Sequence, residues 1–229
     1  MRDALDISAY LVLGPENTEG RSVADVAKQA IQAGFTCIQL RSKMCSAKEL
    51  IVLAQELAQV ISDLGKSDTV ALLIDDRLDV ALAAREQGIK VDGIHVGQSD
   101  IPVEVCRKFL GEDAIVGLSA RADEMLSYVK TVEVSCVDYF GVGPLHETPT
   151  KADCGLSKEG TIIVKTLDDI AELEKVSPVP LVVGGGVKAK DLPALKQTGV
   201  AGFFVVSAVC AADNPYAAAR ELVDLWQSS

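Results

Sequence analysis

The chain has 229 residues, 48% hydrophobic but only 4% aromatic, and a formal net charge of −11. A chain of this length buries enough surface to fold without disulfide or metal staples, and a core of Val, Ile, Leu and Ala suits a parallel sheet covered by helices. The acidic balance argues against nucleic acid or an anionic membrane as a partner, whereas a small phosphorylated substrate stays open if a few basic groups share one cleft.

In chain order, "AYLVLG" (9–14) reads as a strand and "SVADVAKQAIQAG" (22–34) as a helix, opened by Ser22 and stopped by Gly34. "FTCIQLR" (35–41) is the next strand, followed by a long helix over 46–65, again begun by Ser and ended by Gly. Strand 69–75 precedes helix 77–87, strand 91–96 precedes helix 102–110, and strand 114–119 precedes helix 121–131. Strand 136–142 leads through a loop to a helix over 159–174; strand 179–185 precedes helix 190–197, and strand 200–206 precedes helix 214–227.

That alternation predicts a parallel sheet. Eight strand–helix units without a linker or low-complexity break predict an α/β fold closed as a (β/α)8 TIM barrel, a single domain over 1–229. An open doubly wound sheet is the runner-up, because periodicity does not show closure. The six cysteines (37, 45, 106, 136, 154 and 210) have no CxxC pair and read as free thiols, most of them buried. No signal peptide or membrane-length apolar run is visible, so a cytoplasmic protein is expected.

Polar residues gather where strands end. The second strand closes on Gln39 and Arg41, the third on Asp75 and Asp76, and the fourth runs into "HVGQSD" with Asp100. The fifth closes on Ser119, the sixth opens into "GVGPLHETPTK", the seventh ends in Gly184–Gly186 and the eighth at Ser207. The opposite strand ends show nothing comparable. In a barrel all eight C-terminal ends meet on one face, where such enzymes carry their chemistry.

Each element has a functional and a plain reading. Period-2 alternation puts Cys37, Gln39 and Arg41 on one face, which suits a phosphate or carboxylate clamp or merely a neighbouring carboxylate. Asp75 and Asp76 with Asp100 form an oxygen set suited to Mg²⁺, while Asp79 reads as structural on the following helix. Three glycines at 184–186 exceed what a turn needs and, with Ser207, suit close backbone approach to an anion. His95 and His146, the only histidines, lack a zinc partner set; His95 reads as orienting its glycine loop, His146 as a surface residue.

"IQLRSK", "IDDRLDVAL", "GIHVGQSD", "GLSA", "YFGVGPLHETPTK", "VPLVVGGGV" and "FFVVSA" together resemble the ordered motif series of the thiamine-phosphate synthase family, over about residues 9–216. The resemblance implies a barrel transferase that joins a phosphorylated thiazole to a pyrimidine diphosphate and releases diphosphate. It implies Mg²⁺ as cofactor, held by Asp76 and Asp100, and Gln39, Arg41 and Lys43 facing the pyrimidine diphosphate. Ser119 matches a serine near the diphosphate and pyrimidine, and Lys151 the lysine on the leaving diphosphate. Thr148 and Thr150 match loop residues at the thiazole phosphate, which Gly186 and Ser207 would hold through backbone.

Two positions depart from the family pattern: Asp75 stands where asparagine is usual, and Ser42 where glutamate is common. A carboxylate facing a diphosphate needs a cation between them, so Asp75 is expected in the metal's shell, with Arg77 paired on the outside. The partners implied are the two small molecules, with no nucleic acid and no membrane; a homodimer is compatible. The alternatives are a thiazole tautomerase-like branch, which would not need the Asp76–Asp100–Lys151 set, a catalytically silent regulator, which would bind ligand without turnover, and a sugar- or indole-phosphate isomerase on the same barrel, which would need neither Mg²⁺ nor the diphosphate clamp.

Overall fold

A computed structural model describes residues 2–120, 125–131, 134–147 and 162–229. Eight parallel strands close into a barrel in chain order: β1 (Ala9–Leu13), β2 (Cys37–Leu40), β3 (Ala71–Asp75), β4 (Gly93–Val96), β5 (Ile115–Ser119), β6 (Tyr139–Val142), β7 (Leu181–Val183) and β8 (Gly202–Val205). β8 returns to pair with β1, Phe204 opposite Tyr10, which decides closure over an open sheet.

The helices cover the outside. They are α1 (Val23–Ala33), α2 (Ala47–Asp63), α3 (Leu78–Glu86), α4 (Val103–Leu110), α5 (Met125–Thr131), α6 (Leu167–Val176), α7 (Leu192–Lys196), the single turn α8 (Ser207–Cys210) and α9 (Pro215–Ser228). The Ser22 side chain caps α1 by accepting from the Asp25 amide, and Gly34 ends it with φ +113°. Ser46 and Glu49 close a reciprocal capping box on α2.

Two expectations are corrected. The helix expected from 159 begins only at Leu167, because Thr166 and Asp169 form the cap there, and 163–166 is irregular. The turn α8, which the alternation missed, separates β8 from the last helix.

Strand alternation sorts the core into two bodies. Outward residues such as Leu11, Ile38, Leu72, Ile94, Val116 and Phe140 meet the helices. Inward residues such as Tyr10, Cys37, Leu73, Ile115, Tyr139 and Val182 fill the barrel. Gln39, Asp75 and His95 are also buried, so the interior is polar toward its C-terminal end. Among the described cysteines, 37, 106 and 210 are buried and 45 and 136 partly so, all free thiols. Cys154 lies outside the described residues. Among the described residues no helix is long and apolar enough to cross a membrane.

The N-terminal strand ends are not bare. Asp138, just before β6, accepts from Arg2 Nε at 2.6 Å, Arg107 Nη2 at 2.7 Å and the Val116 amide at 2.7 Å. Asp92, just before β4, accepts from the Leu72 amide at 2.7 Å and pairs with Lys90. These carboxylates tie neighbouring strands at the closed end of the barrel, away from the cleft. Their donors are backbone amides and fixed cations, which marks them as structural.

Candidate active site

The C-terminal ends of β2, β3 and β4 bring alternating cations and carboxylates together. Arg41, the residue after β2, is fixed by its amide donating to Leu13 O at 2.8 Å. Its Nε lies 3.2 Å from Asp75 Oδ2, and Lys43 Nζ approaches the same oxygen at 3.9 Å. Lys43 also pairs directly with Asp76. Arg77, in contrast, turns outward and makes a two-point pair with exposed Asp79 at 2.6 and 2.8 Å. Among the described residues, the cations paired with Asp75 are therefore Arg41 and then Lys43.

Asp76 has φ +58°, a left-handed conformation costly for a residue with a side chain. Its amide donates to His95 O at 2.8 Å, holding the turn in place. Burial would raise the Asp76 carboxyl, but hydrogen bonds with Lys43 and Asp100 outweigh it and hold it below the usual range. Burial and the hydrogen bond with Asp76 push the Asp100 carboxyl up. Two carboxyls that interact this closely form an oxygen pair suited to a divalent cation. Among the described residues no group of three or more His, Cys, Asp or Glu side chains could hold a metal. A pair of carboxylates nonetheless fits Mg²⁺, which takes one or two and completes its shell with water and substrate phosphate.

Glu16, in the turn after β1, is a residue that sequence reasoning missed. Its Oε1 accepts from Ser42 Oγ at 2.5 Å, the Lys43 amide at 3.0 Å and the Met44 amide at 3.1 Å. Burial would raise this carboxyl, yet the hydrogen bonds from Ser42 and the loop amides outweigh it and hold it low. Ser42 is thus one of three donors through which the turn after β1 pins the loop carrying Lys43. A cleft of about 380 Å³ opens here, lined among others by Glu16, Asn17, Arg41, Lys43, Met44 and Ser207. Arg41 and Ser207 therefore face one space from opposite sides of β1.

Gln39 and Ser119 stand at the inner floor, on β2 and β5. Gln39 Nε2 donates to Tyr10 OH at 2.7 Å, and Ser119 Oγ lies 3.0 Å from His95 Nε2. His95 was expected to orient its glycine loop; its ring instead bridges Tyr139 and Ser119 inside the barrel.

On the far side, Leu145 and His146 donate their amides to Gly184 O and Gly185 O at 3.0 and 2.9 Å, tying the loop after β6 to the glycines after β7. Gly186 has φ +73°, and a Cβ there would come 2.9 Å from His146 Cβ and 3.0 Å from His146 O. His146 is no loose surface residue, since its Nε2 bridges to Asp191 Oδ2 at 2.9 Å. Ser207 opens α8 beside β8. Thr148, Thr150 and Lys151 lie outside the described residues.

The family model for thiamine monophosphate synthase matches residues 9–209. A thiamine-phosphate synthase of Corynebacterium efficiens is 38% identical over 223 residues, covering 97% of this chain and 96% of the relative. One from Syntrophomonas wolfei subsp. wolfei is 36% identical over 222 residues, covering 97% of each. Among solved structures, a thiamine phosphate pyrophosphorylase from Pyrococcus furiosus superposes with a TM-score of 0.78 at 24% identity, covering 97% of this chain and 96% of that one. That likeness supports the fold, while the family match and full-length relatives carry the assignment: the chain belongs to the thiamine monophosphate synthase family.

Proposed function

We propose that this chain condenses an aminopyrimidine methyl diphosphate with a phosphorylated thiazole, giving thiamine phosphate and diphosphate, at the C-terminal ends of β2, β3 and β4. Family membership supports the reaction. The observation that carries the site is the cluster of Arg41, Lys43, Asp75, Asp76 and Asp100 at one strand-end face. A diphosphate leaves readily only if its growing negative charge is stabilised as the carbon–oxygen bond breaks. Bound at Asp76 and Asp100, Mg²⁺ would supply much of that stabilisation.

Arg41 and Lys43 would bind the diphosphate from the β2 side, and Lys151 from the loop after β6. Gln39 and Ser119 would seat the pyrimidine below them. Gly186 and Ser207 would hold the thiazole phosphate, with Thr148 and Thr150 lining the space between. The broken bond's electron pair leaves with the diphosphate, and the thiazole nitrogen contributes the pair for the new carbon–nitrogen bond. A dissociative order, with a pyrimidine cation between the two events, requires no side-chain nucleophile. The protein's part is then positioning and charge.

The chain is read as a cytoplasmic enzyme of small-molecule substrates. Incubating the purified protein with both substrates and Mg²⁺ tests the proposal: thiamine phosphate and diphosphate should appear in equal amounts. Ligand binding without either product would favour a silent regulator instead.

A further inference from the structure

The barrel interior contains an unbroken line of side-chain hydrogen bonds across five strands. Gln39 Nε2 donates to Tyr10 OH at 2.7 Å, Tyr10 OH lies 2.9 Å from Tyr139 OH, and Tyr139 OH lies 2.9 Å from His95 Nδ1. His95 Nε2 then lies 3.0 Å from Ser119 Oγ. Both ends are residues of the substrate floor. The three between them, Tyr10, Tyr139 and His95, are buried and have no place in the chemistry derived above. Space for the line is built in, since a Cβ at Gly117 would fall 2.2 Å from the Tyr139 ring and one at Gly141 3.0 Å from the His95 ring.

Donor and acceptor counting gives the line a direction. The Gln39 amide nitrogen only donates, so the Tyr10 oxygen is an acceptor on that side. The Tyr10 proton has two outlets, Tyr139 OH and the Cys37 thiol, and sulfur is the weaker acceptor. Sent to Tyr139, it leaves the Tyr139 proton for His95 Nδ1. Nδ1 is then bare, the imidazole proton sits on Nε2, and Nε2–H donates to Ser119 Oγ. The reverse order would leave the buried Tyr10 proton with sulfur alone. Burial pushes both phenols well above their ordinary range, so each keeps its proton.

We propose that Tyr10, Tyr139 and His95 are positioning residues that fix the hydrogen-bond polarity of the substrate floor, with Gln39 Oε1 set as an acceptor and the Ser119 hydroxyl set as a donor. An aminopyrimidine offers the matching pattern, an amino group that donates and ring nitrogens that accept. The floor thereby distinguishes that ring from an isostere with donor and acceptor exchanged. Naming the pyrimidine rests on the function proposed above; the polarity of the line does not.

The test has a spectroscopic arm and a kinetic arm. Long-range ¹H–¹⁵N correlation on the wild-type protein near neutral pH reads the tautomer of each imidazole, and His146→Gln assigns the two histidines. His95 is expected with its proton on Nε2 and a bare Nδ1; a proton on Nδ1 would overturn the proposal whether or not the protein has activity. In the kinetic arm, Tyr139→Phe keeps the ring and removes the relay oxygen. KM for the pyrimidine diphosphate is expected to rise on the order of tenfold, with KM for the thiazole phosphate within about twofold of wild type. Equal changes for both substrates would reduce the line to packing. If Tyr139→Phe fails to fold, the tautomer of the wild type still decides. If wild type makes no thiamine phosphate while His95 carries Nε2–H, the functional reading fails and the polarity stands.

Discussion

Arg41 Nε of the β2 end lies 3.2 Å from Asp75 Oδ2 of the β3 end, and both side chains are largely buried. The arginine proposed to grip the diphosphate is thus already engaged by a carboxylate. Removing the charge but keeping the shape should release Arg41 for the substrate. Asp75→Asn is expected to lower KM for the pyrimidine diphosphate on the order of fivefold, equivalent to about 1 kcal/mol. The Mg²⁺ midpoint of the initial rate should not move. A raised Mg²⁺ requirement would put Asp75 in the metal's shell instead.

Glu16 acts on Lys43 through the loop it pins. Glu16→Ala frees three donors at once, those of Ser42, Lys43 and Met44. KM for the pyrimidine diphosphate should rise by roughly tenfold, as expected when a charged-acceptor anchor is lost. All three contacts use one oxygen, so Glu16→Gln should recover much of the loss. Steady-state kinetics of the two variants decide this; indifference to Glu16→Ala would leave the residue as a surface cap.

At the other end of the barrel the expected effect is on stability alone. Asp138 joins Arg2, Arg107 and the Val116 amide. Breaking a buried charge pair from one side costs about 3–5 kcal/mol, which in a domain of this size lowers the melting temperature by roughly 10 °C. Calorimetry on Asp138→Ala should show that drop, with KM values unchanged in the protein that remains folded.

Much of this was legible in the sequence, and the illegible parts have physical reasons. The closed parallel barrel follows from eight strand–helix units, and the shared face of Cys37, Gln39 and Arg41 from period-2 alternation. Asp75, Asp76, Asp100 and Ser119 stood out because polar residues ending apolar runs are conspicuous. Tyr10 and Tyr139 did not, since a tyrosine inside a strand reads as core and its hydroxyl partner lies across the barrel. Glu16 looked like part of a turn, because nothing local reveals that its acceptor serves a loop 26–28 residues on. Asp92 and Asp138 were passed over for the same reason: an acidic residue before a strand looks like loop until its amide partner on the neighbouring strand is seen.

The exposed pair Arg77–Asp79 supplies an internal control for the metal assignment, because such pairs contribute less than about 1 kcal/mol. The most direct measurement is thiamine phosphate formation against Mg²⁺ concentration for wild type, Asp76→Ala, Asp100→Ala and Asp79→Ala. Chelation should abolish the wild-type rate, Asp76→Ala and Asp100→Ala should each lose on the order of 100-fold or more, and Asp79→Ala should stay within about twofold of wild type. Equal activity of Asp76→Ala and Asp79→Ala, or a wild-type rate indifferent to chelation, would contradict a metal-assisted diphosphate departure at this strand-end cluster.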